Sequence, residues 1–115
     1  MGKKTILVVD DKENIRSLLE VFLTEIGYSI ITCEDGKDAV QHINRADLII
    51  TDFNMPRMNG VELTKIAKRE KPGMPVIIMT GEPEKVVPIG YMANQIIEKP
   101  FSLELMQEII ARFWK

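Results

Sequence analysis

Cysteine is nearly missing from this chain: Cys33 is the single one among 115 residues. An internal disulfide is therefore excluded, and Cys33, set in an apolar stretch, is read as a small core residue. A basic excess is missing too. A net charge of −2 and a pI near 5.4 argue against a nucleic-acid surface, which would need a basic stripe. No apolar run reaches the length of a membrane span. The opening, MGKKTILVVDD, runs into acid too early for a secretory signal, and Ile6 stands where a myristoylation motif wants Ser or Thr. Linkers, repeats and low-complexity segments are also wanting. A cytoplasmic setting and a single domain over residues 1–115 are expected.

At 45% hydrophobic and 28% charged, the chain has the makings of an ordinary globular core. Four apolar runs rich in β-branched residues read as strands: Thr5–Val9, Ser29–Cys33, Leu48–Thr51 and Val76–Met79. Gln95–Glu98 is a weaker fifth. Helical spacing lies between them. Ile15, Leu18, Leu19, Phe22, Leu23 and Ile26 form an apolar stripe stopped by Gly27. Ala39, Val40 and Ile43 predict a shorter helix, and Leu63, Ile66 and Ala67 a third, ended by Lys71-Pro72-Gly73. Ser102 is the expected N-cap of a last helix carrying Leu103, Met106, Ile109, Ile110 and Phe113, with Glu104 in its first turn. The cluster Lys65, Lys68, Arg69 and Lys71 is read as the solvated face of the third helix. Alternating strands and helices, with strands apolar throughout, predict a doubly wound α/β domain on a parallel sheet.

In such a sheet, ligands gather outside the carboxyl ends of the strands. Asp10 and Asp11 end the first strand and Asp52 ends the third. Right-handed crossovers make those strands neighbours if the second lies outside the first. Three carboxylates in one crevice must share protons or hold a cation, and oxygen ligands of this kind suit Mg2+. The fourth strand ends in Thr80-Gly81 and the fifth in Lys99-Pro100, adding a hydroxyl, an accessible backbone N–H and an ammonium. Acids, hydroxyl and ammonium together equip a site for phosphoryl transfer, with Asp52 as nucleophile. Singly, each piece is ordinary turn punctuation. Four strands ending in the needed residue types, in order, are not.

The stretches VVDDKENIR, TDFNMPRMNG, VIIMTG and EKPF resemble the four motif blocks of the receiver domain of two-component response regulators, the chemotaxis type included. They span positions 8 to 101. The resemblance implies a five-stranded sheet in the order 2-1-3-4-5 with five helices, the flavodoxin-like receiver architecture. It implies that Asp52 takes a phosphoryl group from the phosphohistidine of a histidine kinase or phosphotransfer protein, or from acetyl phosphate. Asp10 and Asp11 would hold Mg2+ with Asp52 and the backbone carbonyl of Asn54. Thr80 and Lys99 would contact the phosphoryl oxygens, Met55-Pro56 and Gly60 would shape the adjoining loop, and the Lys99-Pro100 bond would be cis. Asn54 and Glu82, both polar, would tune the lifetime of the phosphoryl group, which is expected not to be unusually long.

Departures from the family pattern fall between Thr80 and Lys99. Pro83 can open a helix, but Pro88 and Gly90 would break it within two turns, so a short or irregular fourth helix is expected. Met92 stands where glycine is usual, while Ala93 fits. The aromatic switch position falls on Ile96, which has no ring to swing, with Tyr91 nearby as a candidate substitute. These departures touch the face through which relatives engage partners, not the chemistry.

Two other function classes are weaker. An aspartate-nucleophile phosphatase would show Asp-x-Asp on its first strand and a cap domain. A flavodoxin-like cofactor binder would have its phosphate repelled by three acids. A degenerate receiver, acting as a phosphorylation-independent interaction module, is the main alternative. In either receiver reading the chain is no enzyme beyond phosphotransfer to itself and autodephosphorylation, and a downstream protein, neither nucleic acid nor membrane, is its partner. Trp114 is read as covering a sheet edge or as partly exposed, and His42 has no catalytic role.

Overall fold

The computed structural model describes residues 2–86 and 92–114. Five strands alternate with helices: β1 (Thr5–Val9), α1 (Glu13–Ile26), β2 (Ser29–Cys33), α2 (Gly36–Val40), a 3₁₀ turn (Ile43–Arg45), β3 (Leu48–Asp52), α3 (Gly60–Glu70), β4 (Val76–Thr80), α4 (Pro83–Val86), β5 (Gln95–Glu98) and α5 (Leu103–Arg112). The strands form one parallel sheet in the order β2-β1-β3-β4-β5, as expected.

Side-chain alternation divides the core. Leu7, Val9, Ile49, Val76 and Ile78 face Ala39, Ile43, Leu63, Ala67 and Val86. Ile6, Val8, Leu48, Ile50, Ile77 and Met79 face Leu19, Leu23, Met106, Ile109 and Ile110. Thus α1 and α5 cover one face and α2 to α4 the other, which is why β1, β3 and β4 had to be apolar at successive positions. β2, at the sheet edge, is only partly covered and keeps polar Ser29 and Thr32.

Several local expectations need correction. The helix predicted through Ala39, Val40 and Ile43 divides into a five-residue α2 and a separate 3₁₀ turn capped by His42. On α1 only Leu19 and Leu23 are fully buried; Leu18 is 47% exposed and Ile26 37%. The buried stripe is narrower than the apolar one, because a helix resting on a sheet edge seals only its central line of contact.

The basic cluster of α3 is not wholly solvated either. Lys68 Nζ donates to the Met74 carbonyl at 2.9 Å, and Lys71 Nζ to the carbonyl of Ala46. These ammonium groups satisfy backbone acceptors that no helix or ladder reaches.

The described part of the fourth helix, Pro83–Val86, is opened by Pro83, whose missing N–H is harmless at a first helical position, and the expected break lies beyond it. Pro88, Gly90 and Tyr91 lie outside the described residues. Trp114 packs against Tyr28 with ring centroids 5.3 Å apart, beneath Lys4, so it covers the amino-terminal end of the sheet. Cys33 is buried, as expected.

Candidate functional site

Register assembles the site. Val9 pairs with Thr51 across β1 and β3, so the next residues, Asp10 and Asp52, leave the sheet side by side. Asp52 pairs with Met79, which places Thr80 at the same rim, and the Lys99 N–H donates to the Thr80 carbonyl at 2.7 Å. Four strands thereby deliver acid, acid, hydroxyl and ammonium to one crevice. One carboxylate oxygen from each of Asp10, Asp11 and Asp52 lies within 4.8 Å of the others.

Burial differs among the three. Asp10 is completely buried and Asp52 is 4% exposed, whereas Asp11 opens to solvent. Lys99 reaches between the buried pair: its Nζ is 3.0 Å from Asp52 Oδ1 and 3.2 Å from Asp10 Oδ2. For Asp52, burial outweighs that ammonium and, with the Asp10 charge, pushes its carboxyl above the ordinary value. Burial alone would lower Lys99, but the hydrogen bond to Asp52 and the charges of Asp10 and Asp52 raise it. Each carboxylate has only a share in one cation, while the cation has two carboxylates. Three carboxylates against one ammonium leave two negative charges uncompensated. That is the charge of one divalent cation, and the all-oxygen donor set fits magnesium.

The other expected residues are placed as follows. Thr80 is buried, and its Oγ1 accepts a hydrogen bond from the Glu82 N–H at 3.0 Å. Glu82 is exposed and pairs with Lys85 at 2.9 Å. Asn54 is exposed in the loop after β3, and a side chain added at Gly81 would meet open space. Ile96 is half-buried and packs against the core on the α2–α3 side. Tyr91 is outside the described residues. The Lys99-Pro100 bond is cis.

The β3–α3 loop is held tightly. Gly60 abuts the end of β3: a Cβ there would lie 2.6 Å from the Asp52 carbonyl oxygen, so only glycine fits. Asn59 and Glu62 form a reciprocal capping box that starts α3 at that point.

Four residues at the site escaped the sequence reading. The Lys12 N–H donates to Asp10 Oδ1 at 2.9 Å, and the Lys12 charge acts to lower Asp52. Arg16 reaches back from α1 to the Asp10 carbonyl at 2.7 Å. Arg57, at a left-handed φ of 72°, pairs with Asp35 at 3.4 Å and ties the loop to the start of α2. Lys12 and Arg16 lie inside VVDDKENIR; a basic residue following paired acids was the available signal. Nothing in sequence joins Asp35 to Arg57.

Fold and site together define a doubly wound α/β domain with an acid cluster, only partly compensated by Lys99, at the carboxyl ends of its strands. Residues 6–111 match the response regulator receiver domain, and the chain belongs to that family. It is 37% identical over 107 residues to the alkaline phosphatase synthesis transcriptional regulatory protein PhoP of Bacillus subtilis, covering 89% of this chain and 44% of that protein. It is 34% identical over 112 residues to a chemotaxis protein CheY homolog of Campylobacter jejuni, covering 90% of this chain and 86% of that protein. Among solved structures, response regulator protein TrrA from Thermotoga maritima, in complex with Mg(2+)-BeF, superimposes with a TM-score of 0.88. It shares 32% identity over 96% of this chain and 98% of that one. The chain thus spans under half the length of the transcriptional regulator and most of that of the chemotaxis protein. No described helix is long and apolar enough to cross a membrane.

Proposed function

We propose that this receiver domain is phosphorylated on Asp52 in a magnesium-dependent reaction and signals by the change in shape that follows. The observation that carries the reading is the single Lys99 ammonium shared by the buried Asp10 and Asp52 carboxylates. It compensates the nucleophile without saturating the cluster, which leaves charge for a divalent ion. Asp10, Asp11, Asp52 and the Asn54 carbonyl would hold that ion, which when bound offsets negative charge on the phosphoryl oxygens.

An Asp52 carboxylate oxygen forms the new bond to phosphorus as the bond to the donor breaks. The donor leaves as neutral imidazole from phosphohistidine or as acetate from acetyl phosphate. On phosphorylation Lys99 passes from the carboxylate to a phosphoryl oxygen. The Thr80 hydroxyl, which accepts from Glu82 N–H, has its own proton free to donate to another. Exposed Asn54 and Glu82 flank the route by which water returns to hydrolyse the acyl phosphate. Catalysis is confined to the domain's own phosphorylation and dephosphorylation, in the cytoplasm.

The phosphodonor reaches Asp52 over an apolar groove beside the site, formed by Ile15, Leu18, Pro100 and Phe101 and bordered by Lys99. The exposure of Leu18 fits this use better than a place in the core. The downstream partner is a protein or an output domain, and nucleic acid and membrane are not bound by this domain.

Incubation with acetyl phosphate and magnesium, read by intact mass, tests the reading. A gain of one phosphoryl group that needs magnesium and disappears in Asp52→Asn is expected. No adduct with acetyl phosphate or with a phosphorylated histidine donor would leave a phosphorylation-independent interaction module instead.

A further inference from the structure

Beside the acid cluster, one backbone hydrogen bond from Asp10 (Asp10 N–H to the Cys33 carbonyl, 3.1 Å), a second set of donor atoms meets at the carboxyl end of the edge strand β2. The Sγ of Cys33, a carboxylate oxygen of Asp38 and a ring nitrogen of His42 lie within 4.8 Å of one another. Cys33 ends β2, Asp38 lies in α2, and His42 caps the 3₁₀ turn that follows. Asp38 Oδ1 and His42 Nε2 are 3.9 Å apart on one face, at the spacing of a helical turn. Burial is graded: the thiol is buried, the imidazole half-buried and the carboxylate exposed. The deepest donor is thus held by the core, and the outer two are reached from solvent.

These distances are near those of a metal site. Around a tetrahedral zinc ion, with bonds of about 2.0–2.3 Å, donor atoms stand roughly 3.3–3.8 Å from one another. The outer two side chains can close that difference by small rotations. A thiol sulfur, an imidazole nitrogen and one carboxylate make a mixed soft set, suited to zinc-class ions and poorly suited to magnesium. Thiolate and carboxylate together carry two negative charges, matching a divalent ion, and Asp35 at the N-cap of α2 adds to the negative potential. Arg45, whose guanidinium touches His42 Nδ1, opposes it, but Arg45 is exposed and can turn outward. Burial and the neighbouring Asp38 push the Cys33 thiol up to about 12, so it is a poor nucleophile and a poor redox sensor. An ion bound there must therefore displace the thiol proton.

We propose that Cys33, Asp38 and His42 form a second cation site, for a zinc-class divalent ion, with its fourth position filled by water. Binding releases the thiol proton to solvent. His42 ligates through Nε2 and keeps its one proton on Nδ1, which is why Arg45, a donor to that nitrogen, must withdraw. The site is independent of the magnesium-type cluster and of whether Asp52 is phosphorylated.

Cobalt titration of the metal-free chain in excess magnesium tests this, with Asp52→Asn, His42→Gln and Cys33→Ser alongside. One cobalt ion per chain is expected, with a near-ultraviolet thiolate-to-cobalt band that is unchanged in Asp52→Asn and abolished by zinc. His42→Gln, a change on the half-exposed rim that leaves the thiol in place, should weaken binding more than about tenfold. Cys33→Ser should remove the band; if that buried change prevents folding, His42→Gln still decides. Absence of the band, or a band whose affinity His42→Gln does not alter, would overturn the proposal. Cobalt bound without the band and lost in Asp52→Asn would overturn it too, by placing the ion in the acid cluster.

Discussion

The Lys99 ammonium stands 3.0 Å from the Asp52 carboxylate and reaches Asp10 with the same nitrogen. Lys99→Met would leave both buried carboxylates without a cation. The expected cost is about 3 kcal/mol at neutral pH without divalent ions, because stranding a buried charge is far costlier than losing a surface pair. Magnesium should recover part of it by taking over the compensation. Urea melts with and without magnesium check this; a loss of the same size in both conditions would mean that Lys99 acts through packing alone.

The raised pKa of Asp52 gives a second expectation, with the opposite sign for stability. Burial holds the carboxyl above its ordinary 3.8, so the folded state binds more protons than the unfolded state between that value and the folded one. Stability from this group is therefore lost as pH rises through that window, and the loss persists at neutral pH. Asp52→Asn removes the ionisation. Without magnesium it should be more stable than the parent by a few degrees in Tm at about pH 7, with the gap closing towards about pH 4. Saturating magnesium should shrink the gap, since the ion stabilises the parent more. A mutant less stable than the parent at neutral pH, without magnesium, would show that the Lys99 pair outweighs burial.

Gly60 offers a steric test of the loop that frames the site. A methyl group there would stand 2.6 Å from the Asp52 carbonyl oxygen and 3.2 Å from Phe53 Cα, and strand backbone cannot step aside. Gly60→Ala should cost about 1–3 kcal/mol, the range for forced overpacking. Gly73→Ala, where the added atom meets nothing within 4 Å, should stay within about 0.5 kcal/mol. Denaturant melts of the two variants give the comparison. Equal effects would mean that the β3–α3 contact is loose.

The strands and the acid cluster were legible because both follow from short-range rules. An apolar run ending in acid is visible without its partners, and parallel topology then dictates which ends meet. Gln95–Glu98, with only two isoleucines, was still recoverable because Lys99-Pro100 follows it. The side of α1 that meets the sheet was less legible. Leu18 and Leu19 are equally apolar, yet one is exposed and the other buried, and only the angle of the helix on the sheet distinguishes them. Lys68 and Lys71 looked like solvated charges because their acceptors, the Met74 and Ala46 carbonyls, have no signature in sequence. Arg57 and Asp35 meet only through the fold. Composition alone likewise could not show that α2 ends early, at Val40.

Asn59 is the last lever on the loop, and its effect can be separated from that of backbone freedom. Its side chain accepts from the Glu62 N–H at 2.9 Å while Glu62 accepts from the Asn59 N–H at 2.9 Å, so two amides at the start of α3 are satisfied together. Asn59→Ala removes one arm and should cost about 1 kcal/mol. Asn59→Gly should cost only a few tenths, since glycine suits the extended N-cap geometry and lets water reach the free amide. Glu62→Ala removes the other arm. If the box acts as one unit, combining Asn59→Ala with Glu62→Ala should cost less than the two single changes added together. Equilibrium urea denaturation of these variants and the parent yields the differences. Strict additivity, or an Asn59→Gly loss as large as that of Asn59→Ala, would show that the two bonds act separately and that something other than the cap fixes where α3 begins.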